Sequence, residues 1–110
     1  MPKIVISGIS QKKVSIVSAQ MIAAIAETLE CPSEWISFEY VPSVFFGAEG
    51  EDKEHCPMVE IYWFKRSAEK MQKVSQIISQ ELVRVGINRV IIQIIDTLRE
   101  NYFDLISDCK

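Results

Sequence analysis

The 110-residue chain contains one pattern twice, and this internal repeat constrains its fold more than any other feature. Each half begins with a proline, followed by a short β-branched run, a helix-forming segment of nearly equal length and a second apolar run. Pro2 precedes Ile36 by 34 positions, and Pro57 precedes Val90 by 33 positions. We therefore predict two βαβ units, each with a right-handed crossover between parallel strands.

Apolar runs and amphipathic runs alternate within each half. The predicted strands are the β-branched and aromatic runs at residues 3–6, 35–46, 58–64 and 90–95. The predicted helices have an apolar stripe at three- and four-residue steps, at residues 11–30 and 67–85. This layout indicates a single domain over residues 1–110. Its parts are a βαβ unit at residues 1–46, a glycine-bearing polar loop at 47–57, a second βαβ unit at 58–96 and a polar tail at 97–110.

Two βαβ units in one chain predict an α/β fold of the α+β two-layer sandwich kind, in which both helices cover one face of a four-stranded mixed sheet. The other face then has no cover from the chain itself. Yet the run 58–64 has a single charged residue, Glu60, and the run 90–95 has five apolar residues out of six. Strands that are apolar on both faces are normally covered on both faces. We therefore expect a homo-oligomer in which other copies cover the sheet.

Charge and cysteine content exclude several classes of protein. Lys and Arg number 12 against 15 Asp and Glu, which gives a net charge of -3 and argues against a nucleic-acid or anionic-membrane surface. Cys31, Cys56 and Cys109 show no CxxC spacing, and the single histidine, His55, cannot complete a structural zinc site. The sequence has no signal-like or membrane-spanning apolar run. We expect a cytoplasmic domain with reduced cysteines and no metal.

Polar side chains inside the apolar runs are candidates for a functional site. Glu39 and Glu60 lie within predicted strands, and Gln93 interrupts the fourth strand. Buried carboxylates and amides need partners, so these side chains either form interfacial pairs or line a cleft and orient a substrate. Arg66 follows Lys65 at the junction with the second helix. It is either a solvated charge or a contact for an anionic substrate.

Pro2, directly after Met1, is the most informative candidate for a catalytic residue in the sequence. Methionine before proline is commonly removed, which exposes a secondary amine at the start of a strand. A free α-amine has a pKa of about 8, and burial or a neighbouring cation such as Lys3 or Arg66 lowers that pKa. Such an amine can move protons next to a carbonyl group or attack it covalently.

Several features together resemble the tautomerase superfamily, most closely its longer members of the macrophage migration inhibitory factor type. They are the proline-led first strand, the two βαβ copies, the length and the sheet that needs oligomeric cover. Short strings also match, at residues 40–42 (Tyr-Val-Pro), 88–90 (Asn-Arg-Val) and 92–96 (Ile-Gln-Ile-Ile-Asp). The resemblance covers most of residues 2–96, and the segments 63–66 and 100–102 look like features of a separate bacterial branch.

The resemblance implies a homotrimer with active sites at subunit interfaces around the N-terminal proline. It also implies keto–enol tautomerisation, or the related hydrolytic dehalogenation or decarboxylation, without a metal or organic cofactor. On this basis Pro2 is the expected general base or nucleophile toward a small carbonyl acid. Position and polarity, rather than the resemblance, suggest five further substrate-binding residues. Arg66 and Lys3 would hold the carboxylate, Gln93 and Glu39 would orient the substrate, and Tyr102 completes the set.

The sequence departs from the superfamily pattern at several positions. Cys31 stands where the macrophage factor type has a lysine after the first helix, and Ile91 and Gln93 stand where it has a tyrosine and an asparagine. Gln11 and Lys12 occupy the place of an arginine in the short 4-oxalocrotonate tautomerase type. A non-catalytic, homo-oligomeric binding or scaffold domain of the same fold is therefore the alternative. A ferredoxin-like regulatory module shares the element order, and strand pairing distinguishes it.

Overall fold

The computed structural model describes residues 1–107 and contains a four-stranded sheet, a small hairpin and two long helices. The elements in chain order are β1 (Lys3–Ser7), α1 (Gln11–Leu29), β2 (Ser37–Tyr40), β3 (Phe46–Gly47), β4 (Gly50–Glu51), β5 (Met58–Trp63), α2 (Ala68–Val83) and β6 (Ile91–Asp96). Two 3-10 turns lie at Ser33–Trp35 and Arg99–Asn101. Cys109, one of the three cysteines considered above, lies outside the described residues.

The strand order of the main sheet is β2-β1-β5-β6. β1 pairs in parallel with β2, β5 pairs in parallel with β6, and β1 and β5 pair antiparallel at the centre. Each long helix therefore links two neighbouring parallel strands, which confirms the predicted βαβ units. A ferredoxin-like module is excluded, because its helices link strands that are not neighbours.

Both helices lie on one face of the sheet and share one core with it. β5 alternates strictly, so that Val59, Ile61 and Trp63 are buried on the helix side. They pack with the buried apolar stripes of the two helices, at Val14, Val17, Met21, Ile25, Ala26, Leu29, Val74, Ile78 and Leu82. The expected two-layer sandwich with a four-stranded mixed sheet is confirmed.

Serine side chains begin both helices. The hydroxyl of Ser10 accepts a hydrogen bond from the Lys13 amide at 3.3 Å, and the hydroxyl of Ser67 accepts one from the Lys70 amide at 3.2 Å. Each bond satisfies an amide that has no partner within the helix. Glu30 ends α1 in the left-handed conformation, two residues before Pro32, and the helix thus ends close to the predicted boundary at residue 30.

The sheet face away from the helices is more polar than the sequence analysis predicted. Along β5 the residues on that face are Met58, Glu60 and Tyr62, and all three are half-buried in the single chain. Across the sheet, Glu39, Val5, Glu60 and Gln93 form one row of neighbours. The expectation of strands apolar on both faces is therefore wrong: charged and amide side chains alternate with the apolar ones and partly shield them.

The most exposed apolar side chains lie in two segments. The sequence analysis assigned the first, at residues 35–46, to a strand and described the second, which begins at residue 97, as a polar tail. The predicted strand at 35–46 ends at Tyr40, and the predicted loop at 47–57 contributes to the β3–β4 hairpin, where Phe46 is 74% exposed. The predicted polar tail exposes Leu98, Phe103, Leu105 and Ile106. No helix within residues 1–107 is long and apolar enough to cross a membrane.

Gly8 provides a test of how the hairpin segment packs on the sheet. It has φ +76°, and a Cβ atom there would lie 3.1 Å from both the Cys56 carbonyl oxygen and a Phe45 ring carbon. Gly86 has φ +84° but nothing within 4 Å of such a Cβ. We predict that Gly8→Ala lowers the free energy of unfolding by about 2–3 kcal/mol and Gly86→Ala by about 1 kcal/mol, measured by chemical denaturation. Equal losses would contradict the close packing described here.

Candidate functional site

A groove of about 690 Å³ crosses the end of the sheet at which β1 begins and β5 and β6 end. This volume is within the usual range for small-molecule sites. Ten described residues line it: Met1, Pro2, Lys3, Glu34, Trp35, Ile36, Ser37, Tyr62, Thr97 and Tyr102. Three of the predicted site residues, Pro2, Lys3 and Tyr102, are therefore brought together, although they lie at opposite ends of the chain.

Pro2 is held firmly at the head of β1. Its side chain is fully buried, and its carbonyl oxygen accepts a hydrogen bond from the Ser37 amide at 2.9 Å. This bond extends the parallel pairing of β1 and β2 by one residue beyond the start of β1. The proline ring, its neighbour Met1 and the start of β2 thus form one wall of the groove.

Lys3 and Tyr62 are cross-strand partners in the antiparallel β1–β5 pair, and both line the groove. The Lys3 ammonium lies 5.6 Å from the centroid of the Tyr62 ring, within the range of a cation–π contact. Lys3 is the one cationic side chain among the described lining residues, and it is exposed. An anionic ligand that enters the groove would therefore place its negative charge near the Lys3 ammonium.

Glu60 lies two residues before Tyr62 on the same face of β5. The Tyr62 hydroxyl donates a hydrogen bond to a Glu60 carboxylate oxygen at 3.3 Å. The negative charge of Glu60 raises the pKa of Tyr62 above its ordinary value, and desolvation and the hydrogen bond itself add to this rise. Tyr62 therefore stays protonated at neutral pH and presents a neutral ring to Lys3.

The remaining predicted site residues do not line this groove. Glu39 and Gln93 lie in the two edge strands, three strand spacings apart, or about 14 Å. Arg66 follows β5 on the way to α2, and its Nε atom is buried with no hydrogen-bond partner among the described residues. Within one chain these three side chains are separate from the groove.

The sequence analysis did not predict three notable residues that line the groove. Trp35 lines it from the 3-10 turn before β2, where it is 61% exposed, although it was assigned to a strand. Tyr62 was not among the predicted site residues. Thr97, whose amide donates to the Trp63 carbonyl at 2.7 Å, brings the segment after β6 to the groove. Side chains alternate between the two faces along residues 58–63, so Tyr62 lies on the same face as Glu60. This alternation could have indicated Tyr62 as a candidate site residue.

Among residues 1–107, no group of three or more His, Cys, Asp or Glu side chains is arranged to hold a metal ion. The described free cysteines, Cys31 and Cys56, are half-buried and do not line the groove. The residues that line the groove offer the Lys3 ammonium, the Glu34 carboxylate, aromatic rings, hydroxyl groups and Pro2.

Comparison with solved structures identifies the fold of the chain. A macrophage migration inhibitory factor-like protein from Entamoeba histolytica aligns with 96% of this chain and 96% of its own, with a TM-score of 0.74 and 14% identity. FG41 malonate semialdehyde decarboxylase, inhibited by 3-bromopropiolate, aligns over 98% of this chain and 91% of its own, with a TM-score of 0.71 and 14% identity. The chain therefore has the fold of the tautomerase superfamily, as the sequence features suggested.

A closer similarity defines the family. A family model described as a domain of unknown function, DUF1904, matches residues 1–104, and the chain belongs to that family. The crystal structure of a DUF1904 domain from Sebaldella termitidis aligns over 94% of this chain and 95% of its own, with a TM-score of 0.87 and 27% identity. No curated protein matches the chain.

The Tyr62–Glu60 pair makes a prediction about titration. Replacing Glu60 with Gln removes the charge that opposes the phenolate, so we expect the pKa of Tyr62 to fall toward its ordinary value. Absorbance of the phenolate during an alkaline titration measures this, and Tyr62→Phe identifies the transition that belongs to Tyr62. Glu39→Gln is the matched control, since Glu39 is a carboxylate on the same face without this contact. An unchanged titration in Glu60→Gln would contradict the pair.

Proposed function

We propose that this protein is a cofactor-free enzyme of the tautomerase type that acts on a small carbonyl acid. Removal of Met1 would free the secondary amine of Pro2, which then serves as general base or nucleophile. The observation that carries the proposal is the groove itself, in which Pro2 lies beside Lys3, the one cation among the described lining residues. A carbonyl acid needs both groups: a base near its α-carbon and a positive charge near its carboxylate.

The chemistry of Pro2 depends on its peptide bond to Met1. While that bond exists, the nitrogen is a tertiary amide and has neither a proton nor a basic lone pair. After removal of Met1, which itself lines the groove, the amine is a base with a pKa of about 8 in water. Burial of Pro2 and the nearby Lys3 charge both favour the neutral amine, since each opposes a second positive charge.

In the proposed reaction the Pro2 amine takes a proton from the carbon next to the carbonyl group. The electron pair of the broken C–H bond forms the enol double bond, and the carbonyl oxygen gains negative charge. The protonated amine then gives that proton to the negatively charged oxygen, so that the product is the enol isomer of the substrate and no atom is gained or lost. Lys3 would hold the carboxylate, and the rings of Trp35, Tyr62 and Tyr102 would exclude water from the planar enol.

We further propose that the active assembly is a homotrimer. The strands β2 and β6 form the open edges of the sheet, and the hairpin and the C-terminal segment expose apolar side chains. Both features favour contact with other copies of the chain. Glu39 and Gln93 lie on those two edges, so a neighbouring copy could bring them to the groove, where they would orient the substrate as the sequence analysis expected. We propose that Arg66 also binds the substrate carboxylate, provided that a neighbouring copy brings Arg66 to the groove.

A specific observation also favours the alternative, a homo-oligomeric binding domain that keeps the fold without catalysis. β6 presents Ile91 and Gln93 where the resemblance leads one to expect a tyrosine and an asparagine. Ile91 offers no proton, so part of the usual superfamily machinery is missing. The two candidates differ in one property, the reactivity of the Pro2 amine.

An acetylenic acid provides the test of that reactivity. Pt0534, a protein of the same fold, is inactivated by 2-oxo-3-pentynoate. We predict that this acid labels the chain once at Pro2 after removal of Met1: the nitrogen lone pair forms a C–N bond with the alkyne, and the amine proton moves to the adjacent carbon. Intact-mass and peptide-mass spectrometry locate the adduct. Lys3→Gln should raise the concentration for half-maximal labelling roughly 3- to 10-fold. It should also lower the limiting rate at neutral pH, because loss of the Lys3 charge raises the pKa of the Pro2 amine.

Two controls make this experiment decisive. A version with an N-terminal extension keeps Pro2 in a peptide bond, and we expect no labelling of Pro2 in it. Lys12→Gln removes an exposed cation on α1 that does not line the groove, and it should leave the labelling unchanged. If protein that lacks Met1 is not labelled at Pro2, this result would contradict the proposed mechanism and favour the binding domain.

A further inference from the structure

We propose that residues 97–102, which we name the strap, form the specificity wall of the groove. Tyr102 would contact the body of the bound acid, and Phe64 and Arg99 are positioning residues that hold Tyr102 in place. The assignment of the bound molecule as an acid rests on the proposed function. The position of the strap rests on contacts within the chain.

The strap is anchored where β6 ends. The Thr97 amide donates to the Trp63 carbonyl oxygen at 2.7 Å, and the Trp63 indole donates to the Asp96 carboxylate at 3.2 Å. The 3-10 turn at Arg99–Asn101 then reverses the chain, with the Tyr102 amide donating to the Arg99 carbonyl oxygen. This path returns the strap to the sheet end and brings Tyr102 to the groove.

Phe64 holds the far side of the strap through two contacts. The Arg99 guanidinium carbon lies 4.3 Å from the centroid of the Phe64 ring. The Tyr102 ring meets the same ring in an edge arrangement, with centroids 5.3 Å apart and an interplanar angle of 87°. Both geometries match the charge distribution of an aromatic ring, whose face is negative and whose edge is positive. Contact with Phe64 therefore sets the orientation of the Tyr102 ring as well as burying part of it.

The neighbours of Tyr102 show that this direction is specific. Leu98 is 59% exposed and Phe103 is 75% exposed, and neither lines the groove. Tyr102 is less exposed than either, at 41%, and does line it. General hydrophobic collapse would draw all three side chains inward, whereas only the residue in contact with Phe64 is directed to the groove.

The strap also indicates the shape of the ligand. With Tyr102 in place, the groove has aromatic walls from Trp35, Tyr62 and Tyr102. Among its described lining residues the charged side chains are Lys3 and Glu34, and Lys3 is the cationic one. This composition fits an acid whose carboxylate meets Lys3 and whose body is flat and apolar. A short acid would use Lys3 and leave the strap without a contact.

Two acids that differ only by a ring test the proposal. Acetate and phenylacetate share the carboxylate, and amide NMR shifts during titration of the ¹⁵N-labelled protein give a dissociation constant for each. We expect phenylacetate to bind more tightly than acetate, with shifts at Thr97 and Tyr102. Tyr102→Ala and Arg99→Gln should each reduce that preference roughly 2- to 10-fold and leave acetate binding unchanged. Arg99→Lys, which keeps the charge, should retain part of it.

Ile16→Ala is the control, because it removes an exposed apolar side chain on α1 that does not line the groove. It should leave the preference for phenylacetate unchanged. The proposal is overturned if phenylacetate does not bind, if Tyr102→Ala keeps the full preference, or if Ile16→Ala reduces it as much. Because binding needs no reactive amine, protein that binds phenylacetate through the strap but is not labelled at Pro2 contradicts the proposed catalysis alone.

Discussion

The antiparallel pairing of β1 with β5 is the interaction on which the rest of the structure depends. Each βαβ unit alone has only two parallel strands under one helix, and this pairing joins the two units into one sheet and one core. The same pairing sets Lys3 opposite Tyr62. The groove at the head of β1 therefore exists because the two halves of the chain meet in this register.

The register also distributes charge between two faces. A shift of one residue along a strand would move every side chain to the opposite face, which would place Glu60 and Tyr62 in the core. In the observed register the core side of β5 is wholly apolar, and the polar side chains lie where solvent or another copy of the chain can reach them. The cost of burying a carboxylate thus selects the register, and the register places the polar groups of the groove.

The element order and the two-layer architecture could be predicted from the sequence, because hydrophobic periodicity and the internal repeat report them directly. The hairpin could not, since Phe46 and its neighbours belong to an apolar run that periodicity alone assigns to a strand. The groove was predicted only in part. Pro2 and Lys3 are adjacent in sequence, but Trp35 and Tyr62 reach them through pairings whose register no single segment specifies. Glu39 and Gln93 were predicted from polarity alone, but they lie in the same row as Glu60, two residues along the strands from the row of Ser37, Lys3 and Tyr62 that lines the groove.

The titration of the Pro2 nitrogen tests the central claim of this account most directly. In protein from which Met1 has been removed, ¹⁵N NMR of that nitrogen as a function of pH gives the pKa of its amine. Burial and the nearby Lys3 ammonium predict a pKa below that of an N-terminal proline in an unstructured peptide, so that a larger fraction is free base at neutral pH. A pKa at or above that of an N-terminal proline in an unstructured peptide would contradict the account, because the groove would then contain no base ready for catalysis.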